Sequence, residues 1–296
     1  MFNSISFCML FLLLSASTDV LAGETLVIGR PTKKIDEDYK RLMPIAAYLG
    51  ARLEAHGVKK GDVLVDGMNS VDGCITLIKE EKLDLLFETP YSALRIIDQT
   101  GAKPILTIVR DGAAEYNSYV FARTDSGIAG LADLKGKTVA FEDPGSTSGF
   151  YLPYKAMKDA GLDMVQLASS DVAVPEGKTG YVFSQGEVNT ASWVYFGKTA
   201  AGALSSSDWT KQETCPEAFR SQFTILHQTG KVPRMLVLVR PGLSSGVTED
   251  IKRLLLGMSG DEKGKNALAP FKIEGFSPIE DPGGFVQSLK RALVIE

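Results

Sequence analysis

Residues 143–149 have the side-chain types and spacing that are best suited, in this sequence, to binding a ligand. They read Asp-Pro-Gly-Ser-Thr-Ser-Gly, so three small hydroxyl residues, Ser146, Thr147 and Ser148, lie between two glycines. Hydroxyl groups are short, rotatable hydrogen-bond donors, and glycine lets a ligand approach the backbone closely. At a helix start, unpaired backbone N–H groups and the helix dipole also attract anions. The pattern therefore predicts an anion-binding loop, although an ordinary helix N-cap explains the same residues about equally well.

A second polar loop, at residues 87–92, carries hydrogen-bond donors ahead of another predicted helix. Thr89, Tyr91 and Ser92 supply these donors, and capping of that helix is the alternative explanation for them. Glu88 is unusual beside an anion, because an ionised carboxylate repels it. A carboxyl group that shares a proton with the ligand forms a hydrogen bond instead, and favours a protonated oxyanion over a fully ionised one. The other interpretation of Glu88 is a solvated acid in a turn.

Three later loops carry polar residues that suit either ligand contact or a local structural role. Tyr116, Asn117 and Tyr119 lie where the chain is expected to pass between two halves of the protein. Tyrosines at such junctions often serve only packing, and ligand contact is predicted for Tyr116 ahead of Tyr119. Residues 180–189 and 204–209 hold serines, acids and an asparagine. Helix capping is the alternative for the first of these loops and the stronger explanation for the second.

The sequence lacks the common signatures of catalysis, cofactor binding and metal binding. Its two histidines, His56 and His227, are far apart and have no metal-ligand spacing. Residues 145–149 have Thr at the middle position, so they are not the nucleophile elbow of a hydrolase. No P-loop and no dinucleotide-binding glycine motif occurs either. We therefore predict a binding protein that has no enzymatic activity, no cofactor and no metal.

Residues 1–22 are typical of a cleaved secretory signal. An apolar run at 5–14 is followed by Val-Leu-Ala at 20–22, a pattern of signal-peptidase sites. The run is too short to span a bilayer, which needs ~20 apolar residues. Loss of the signal removes Asp19 and no Lys or Arg, so the formal net charge changes from −4 to −3, which argues against nucleic-acid binding. We predict an exported, periplasmic protein.

The cysteines give little support for a disulfide. Cys8 leaves with the signal, so the mature chain keeps Cys74 and Cys215. An oxidising compartment permits a bond between them. However, they lie in different halves of the chain and their spacing does not argue for pairing, so two buried or free thiols are predicted.

Strand-like and helix-like segments alternate along the chain, which is typical of an α/β protein with largely parallel sheets. The first set of predicted strands lies at 25–29, 63–65, 83–87 and 103–109, with helices over 38–55, 71–82 and 91–100. The second set has strands at 118–123, 137–141, 164–167 and 200–204, with helices over 148–160 and 189–197. Two more strands, at 222–227 and 234–239, precede helices at 249–258 and 284–293.

The chain that remains after the signal is longer than one compact core usually holds, so two lobes are expected. We predict a discontinuous first lobe, 23–118 plus 221–296, and a second lobe, 119–220. Strands near 118–123 and 234–239 are expected to connect them. A ligand would then lie in the cleft between the lobes, at loops that follow the carboxyl ends of strands.

The segment at residues 131–153, LADLKGKTVAFEDPGSTSGFYLP, resembles the phosphate-, phosphite- and phosphonate-binding proteins of ABC importers. The similarity extends over most of the mature chain. It implies a type II periplasmic-binding fold, in which two α/β lobes with mostly parallel sheets are joined by a two-strand hinge.

The same resemblance implies roles for individual residues. In that family the Ser-Thr-Ser triplet grips the phosphonate oxygens, which points to residues 146–148 here. The first-lobe loop of the family matches residues 88–92, with Tyr91 as the contact, and Glu88 and Thr89 beside it. The junction tyrosine of the family matches Tyr116.

Two departures from the family pattern narrow the expected ligand. Glu88 stands where the family often has glycine. Aminophosphonate binders place an acid for the ligand ammonium at the position of Ser205, and in this chain the nearby acid, Asp208, is displaced. We therefore expect a small tetrahedral oxyanion, or a related oxyacid that shares a proton with Glu88, in preference to an aminoalkylphosphonate.

The resemblance also implies partners. The predicted function is a monomeric receptor that captures a phosphate-like oxyanion and delivers it to the membrane permease of an ABC importer. Some relatives are instead periplasmic sensors for two-component kinases, arsenite-responsive ones among them. A sensor subunit that signals to a membrane histidine kinase is therefore the alternative.

Overall fold

The computed structural model describes residues 25–293 of the chain. The predicted signal peptide lies outside these described residues. Within them, no helix is both long enough and apolar enough to cross a membrane.

The strands of residues 25–293 are short, and most of them are apolar. In chain order they are β1 Thr25–Gly29, β2 Lys60–Val63, β3 Leu85–Glu88, β4 Lys103–Arg110, β5 Glu115–Tyr116, β6 Ser118–Arg123, β7 Thr138–Phe141, β8 Met164–Gln166, β9 Thr179–Phe183, β10 Ala201–Ser205, β11 Phe223–Gln228, β12 Val232–Pro233, β13 Met235–Val239 and β14 Ile273–Pro278.

The helices cover the faces of the sheets. In chain order they are α1 Ile35–Gly50, α2 Val71–Lys79, α3 Pro90–Thr100, α4 Leu152–Asp159, α5 Glu187–Tyr195, α6 Ser206–Trp209, α7 Glu217–Arg220, α8 Ser245–Gly257, α9 Glu262–Leu268 and α10 Pro282–Leu293.

The first sheet has six strands in the order β14-β4-β13-β3-β1-β2. Strand β1 is parallel to β2 and β3, whereas β13 is antiparallel to β3 and β4, and β14 is antiparallel to β4. All five residues of β13 are buried. Such a continuous apolar run is expected where helices pack on both faces of a sheet.

The second sheet has six strands in the order β11-β6-β10-β7-β9-β8. Strands β10, β7, β9 and β8 are parallel, and β6 is antiparallel to both β10 and β11. Each sheet thus combines parallel and antiparallel neighbours, which refines the mostly parallel arrangement that the alternating pattern predicts.

A two-stranded ribbon lies where the chain passes between the sheets. Strand β5 precedes β6 on the outward path, β12 precedes β13 on the return, and the two pair antiparallel through Tyr116 and Val232. The predicted connectors, 118–123 and 234–239, were therefore misplaced. They correspond to β6 in the second sheet and β13 in the first. The hinge strands β5 and β12 come just before these two apolar strands, so the sequence does not distinguish the hinge from the sheet strand that follows it.

The sheets show how the predicted lobes are built. The first sheet takes strands from residues 25–110 and 235–278, and the second takes strands from 118–228. Strand β11 pairs with β6 in the second sheet, whereas the predicted boundary assigns residues from 221 onward to the first lobe. The exact division of the chain into lobes remains a prediction.

Among the elements that the sequence pattern does not predict are β9, α9 and β14. Residues 180–189 were predicted as a loop, but β9 occupies their first part and continues the parallel order of the second sheet. Helix α9 and strand β14 were not predicted. Strand β14 contains Gly275 and ends at Pro278, residues that are rare in central strands and tolerated here because β14 is an edge strand.

The backbone of helix α1 packs directly against the backbone of strand β2. The predicted apolar stripe of Leu42, Ile45, Ala46 and Leu49 is buried, as expected. A Cβ at Gly61 would lie 1.7 Å from the carbonyl oxygen of Ala46. Glycine at this position therefore lets the helix and strand approach closely enough to fill the core between them.

We expect Gly61→Ala to destabilise the protein by about 1–3 kcal/mol, because backbone atoms of α1 must move to accept the methyl group. The free energy of unfolding in urea measures the effect. Gly257→Ala in α8 is the matched control, since a Cβ there meets no atom within 4 Å. Equal stability of the two variants would contradict this account of the packing.

Candidate functional site

The two predicted binding loops meet each other. The loop at 143–149 follows β7, and the loop at 88–92 follows β3. The backbone N–H of Tyr91 donates to Thr147 Oγ1 at 2.9 Å, and Ser92 Oγ donates to the carbonyl oxygen of Gly145 at 2.9 Å. One loop comes from each sheet, so these hydrogen bonds join the two halves of the fold at the loops where ligand contact is predicted.

Tyr116 lies beneath this contact, in the hinge strand β5. Its side chain is fully buried, and its hydroxyl bonds with the side chains of Ser148 and Thr147. Burial raises the pKa of this phenol, while the positive charge of Arg234 opposes the increase. The structure therefore brings Tyr116 together with two residues of the hydroxyl triplet.

Ser146 has a different role from its two neighbours. Its Oγ accepts a hydrogen bond from the N–H of Gly149 at 2.9 Å and donates to Glu142 Oε2 at 2.7 Å. It is thus the N-cap of a π-helical turn, Thr147–Tyr151, which leads into α4. The helix predicted over 148–160 begins with this turn, and the capping explanation holds for Ser146.

Glu88 is buried, so its interpretation as a solvated acid is wrong. Its Oε1 accepts hydrogen bonds from the N–H and the Oγ1 of Thr89, each at 2.8 Å. Its Oε2 is buried without a hydrogen-bond partner among residues 25–293. Burial raises the pKa of Glu88, and the positive charge of Arg30 opposes the increase. A protonated Glu88 can donate a hydrogen bond from Oε2, whereas the hydroxyl of Thr89 is already engaged.

The ring of Tyr91 stacks on another aromatic ring. Its centroid lies 3.8 Å from that of Tyr151, with 16° between the planes. Tyr151 ends the π-helical turn that begins at Thr147. This contact adds to the backbone hydrogen bond of Tyr91 and further stabilises the contact between the two loops.

Three arginines lie near the site that were not predicted as site residues from the sequence. Arg30 follows β1, Arg110 ends β4, and Arg234 lies between β12 and β13. The guanidinium groups of Arg30 and Arg110 lie 5.5 and 4.7 Å from the ring centroid of Phe271. That of Arg234 lies 4.5 Å from the ring centroid of Tyr116.

Arg30 and Arg110 lie close together, since both guanidinium groups lie against the ring of Phe271. Burial lowers the pKa of Arg110 to about 10, and the positive charges of Arg234 and Arg30 act in the same direction. A search for basic residues at the carboxyl ends of predicted strands would have found Arg30 and Arg110. Arg234 precedes its strand, so only the antiparallel direction of β13 brings it to the same edge.

Several buried polar atoms at this site have no hydrogen-bond partner in the described part of the chain. They are Arg30 Nε, Glu88 Oε2, Asn117 Nδ2 and Arg234 Nε. Leaving such atoms unsatisfied is costly, by about 1–3 kcal/mol for each polar group. Their number at one place favours a site that is completed by a polar ligand.

A cluster of acids lies behind the hydroxyl loop. Burial and the negative charge of Glu187 raise the pKa of Glu142 to about 8. A Cβ at position 149 would lie 2.4 Å from Glu142 Oε2, so Gly149 permits this close approach. Asp208 accepts a 2.5 Å hydrogen bond from Ser205 Oγ and lies 3.3 Å from Lys211 Nζ.

Other groups are placed away from the site or are engaged elsewhere. Cys74 and Cys215 are buried free thiols, as predicted. No group of three or more His, Cys, Asp or Glu residues within 25–293 is arranged to hold a metal. A groove of about 520 Å³ lies beside the hinge and contains none of the predicted site residues; its lining includes His227, Lys231 and Val232.

A family model described as the periplasmic substrate-binding protein of a phosphonate ABC transporter matches residues 31–282. Among solved structures, chloride-bound XAC2383 from Xanthomonas citri is 29% identical, with a TM-score of 0.86. The match covers 91% of this chain and 97% of XAC2383. The predicted two-lobed type II periplasmic binding fold is confirmed.

Two curated relatives share shorter segments with this chain. Phosphate-import protein PhnD of Mycolicibacterium smegmatis is 41% identical over 85 residues, which are 27% of this chain and 26% of PhnD. Tetrathionate sensor histidine kinase TtrS of Salmonella typhimurium is 47% identical over 60 residues, which are 19% of this chain and 10% of TtrS. The chain thus covers about a quarter and a tenth of these relatives.

The raised pKa of Glu142 predicts how stability changes with pH. The folded protein keeps this proton up to about pH 8, whereas the unfolded chain releases it near the ordinary value of 4.5. The unfolded state therefore binds fewer protons between these values, so this group makes stability fall as pH rises from about 4.5 to about 8. Denaturant titrations across that range should show a smaller decrease for Glu142→Gln than for the natural protein.

Glu213→Gln is the matched control for Glu142→Gln, because Glu213 is exposed. It should follow the pH dependence of the natural protein. If the free energy of unfolding of Glu142→Gln runs parallel to that of the natural protein from pH 4.5 to pH 8, Glu142 does not hold a proton in the folded state.

Proposed function

We propose a function from one premise: the chain belongs to the family of periplasmic substrate-binding proteins of phosphonate ABC transporters. The protein captures a small phosphate-like oxyanion, such as phosphate, phosphite, a phosphonate or a related oxyacid, between its two lobes. It then delivers this ligand to a membrane permease. It acts by binding alone, as a monomer in the periplasm, after removal of the signal at residues 1–22.

The observation that carries the proposal is the convergence of hydroxyl groups at the contact between the two sheets. Thr147, Ser148 and Tyr116 bring three hydroxyls together at the start of a helical segment. The N–H of Tyr91 reaches the same point from the other side. Helix starts favour anions because their N–H groups and dipole point outward. The hydroxyls bond to one another here, and an oxyanion would accept those bonds in their place.

The seven residues predicted from the sequence take two kinds of role in this proposal. Thr147, Ser148, Tyr91, Tyr116 and Glu88 contact the ligand. Ser146 and Thr89 instead hold the loops in place, because their hydroxyls are committed to two carboxylates.

The number of donors suits capture and release. A hydrogen bond to a charged group contributes about 1.5–3 kcal/mol. Four or five such bonds, less the free energy of ordering the cleft, correspond to micromolar binding.

Closure is a hinge motion about β5 and β12, and the permease distinguishes the closed form from the open one.

A sensor role is the second candidate. Its support is the 60-residue similarity to the histidine kinase TtrS, whereas the family match extends over residues 31–282. Capture by this mechanism is the same in both cases. The two roles differ in the membrane protein that binds the closed form. Identification of a kinase in place of a permease as that partner would favour the sensor role.

Calorimetric titration tests the oxyanion ligand directly. We expect purified protein to bind at least one of phosphate, phosphite, methylphosphonate, arsenite and sulfate in the micromolar range. Absence of heat with all five, confirmed by equilibrium dialysis, would exclude the proposed ligand class.

Thr147→Val tests the hydroxyl loop. Valine keeps the shape of the side chain but removes a hydroxyl, so affinity for the bound oxyanion should fall by at least about tenfold. Thr248→Val in α8 is the matched control, since Thr248 lies outside the site, and its affinity should equal that of the natural protein. If Thr147→Val binds as tightly as the control, the loop does not contact the ligand.

A further inference from the structure

Four charged residues form a row along one edge of the first sheet. Arg110 ends β4, Arg234 immediately precedes β13, Glu88 ends β3, and Arg30 follows β1. These strands are consecutive neighbours in the sheet, and neighbouring strands lie about 4.8 Å apart. Because β13 runs antiparallel to β3 and β4, its amino end lies at the same edge as their carboxyl ends. Three guanidinium groups therefore gather at the edge that carries the loop at 88–92.

The acids nearest to this row are shared with other cations. Asp38 Oδ2 lies 3.8 Å from Arg30 Nε, beyond hydrogen-bonding distance, while Asp38 Oδ1 accepts from Arg41 at 3.2 Å. Asp111 forms an ion pair with Lys211 at 3.1 Å. Burial also favours the neutral form of Glu88 by raising its pKa. Positive charge at this edge thus exceeds the negative charge that balances it.

Three deeply buried side chains, two in the row and one beside it, have polar atoms without a hydrogen-bond partner within residues 25–293. Arg234, Asn117 and Glu88 are 7%, 2% and 4% exposed, and the atoms are Arg234 Nε, Asn117 Nδ2 and Glu88 Oε2. The guanidinium of Arg234 lies against the ring of Tyr116, whose hydroxyl reaches the triplet loop. Arg234 and the hydroxyls of Thr147 and Ser148 therefore contact the same tyrosine.

We propose that Arg30, Arg110 and Arg234 form a guanidinium subsite that takes the second negative charge of a dianionic ligand. The hydroxyls of Thr147 and Ser148 hold other oxygens of the same ligand. The inference rests on the proposed function, since it assigns the charge of the oxyanion bound there. Partly buried positive charges whose nearby acids are shared with other cations are costly, so a dianion relieves this cost more fully than a monoanion of the same shape. The subsite thereby makes the protein selective for charge.

Methylphosphonate and methanesulfonate form a matched pair of probes for this subsite. Both are tetrahedral and carry one methyl group, but methylphosphonate is a dianion above its second pKa and methanesulfonate is a monoanion. Calorimetry at one such pH should show at least about a hundredfold tighter binding of methylphosphonate, as expected for loss of one or two charge-assisted hydrogen bonds.

Removal of a guanidinium should reduce this discrimination. We expect Arg234→Gln and Arg30→Gln to weaken methylphosphonate binding by at least about tenfold and methanesulfonate binding by less. Arg234→Lys, which keeps the charge, should retain most of the discrimination. Arg253→Gln is the matched control, because Arg253 is exposed on α8 and pairs with Asp250. Arg30 is partly exposed, so Arg30→Gln decides the matter if Arg234→Gln does not fold.

The outcomes separate the subsite from the proposed function. Similar affinities for the two probes in the natural protein would overturn the guanidinium subsite and leave oxyanion capture intact. An unchanged ratio of affinities in Arg30→Gln and in folded Arg234→Gln would also overturn it. If methylphosphonate and the other oxyanions all fail to bind, the proposed function falls, and the subsite with it.

Discussion

The gathering of partly buried positive charge at one edge of the first sheet is the constraint on which the candidate site depends. Arg30, Arg110 and Arg234 lie where β1, β4 and β13 reach that edge. Removing cations from water is costly unless other groups replace the hydration. The rings of Phe271 and Tyr116 provide part of this replacement through cation–π contacts. Hydrogen-bond partners are still lacking, among residues 25–293, for the Nε atoms of Arg30 and Arg234.

The hinge ribbon and the candidate site share residues. Tyr116 belongs to β5, and Arg234 directly follows β12, the other strand of the ribbon. The contact between these two side chains therefore lies where the chain passes between the sheets. The hydroxyl of Tyr116 also bonds with Thr147 and Ser148. A rotation of one sheet relative to the other must move this tyrosine with respect to at least one of its partners.

The two loops predicted from the sequence meet in the structure, but their individual hydroxyl groups have different hydrogen-bond partners. Ser146, Thr147 and Ser148 are adjacent and chemically alike, yet Ser146 caps a helical turn while the other two face Tyr116. Local pattern cannot separate these roles, because the side chain of Glu142, four residues earlier, decides which hydroxyl is engaged. The hinge strands, β5 and β12, were also missed. Each has only two residues, so neither shows a period that a sequence can reveal.

By itself, the sequence determined the alternation of strands and helices, the apolar stripe of α1 and the hydroxyl loop at 143–149, because each depends on the spacing of neighbouring residues. Only the tertiary structure decided which loops meet and which charges are buried together. Arg30 and Arg234 are distant in the chain, and the strand order β13-β3-β1 brings them to the same edge of one sheet, two strands apart. That order is set by how strands pair across the whole sheet, and no local run of residues records it.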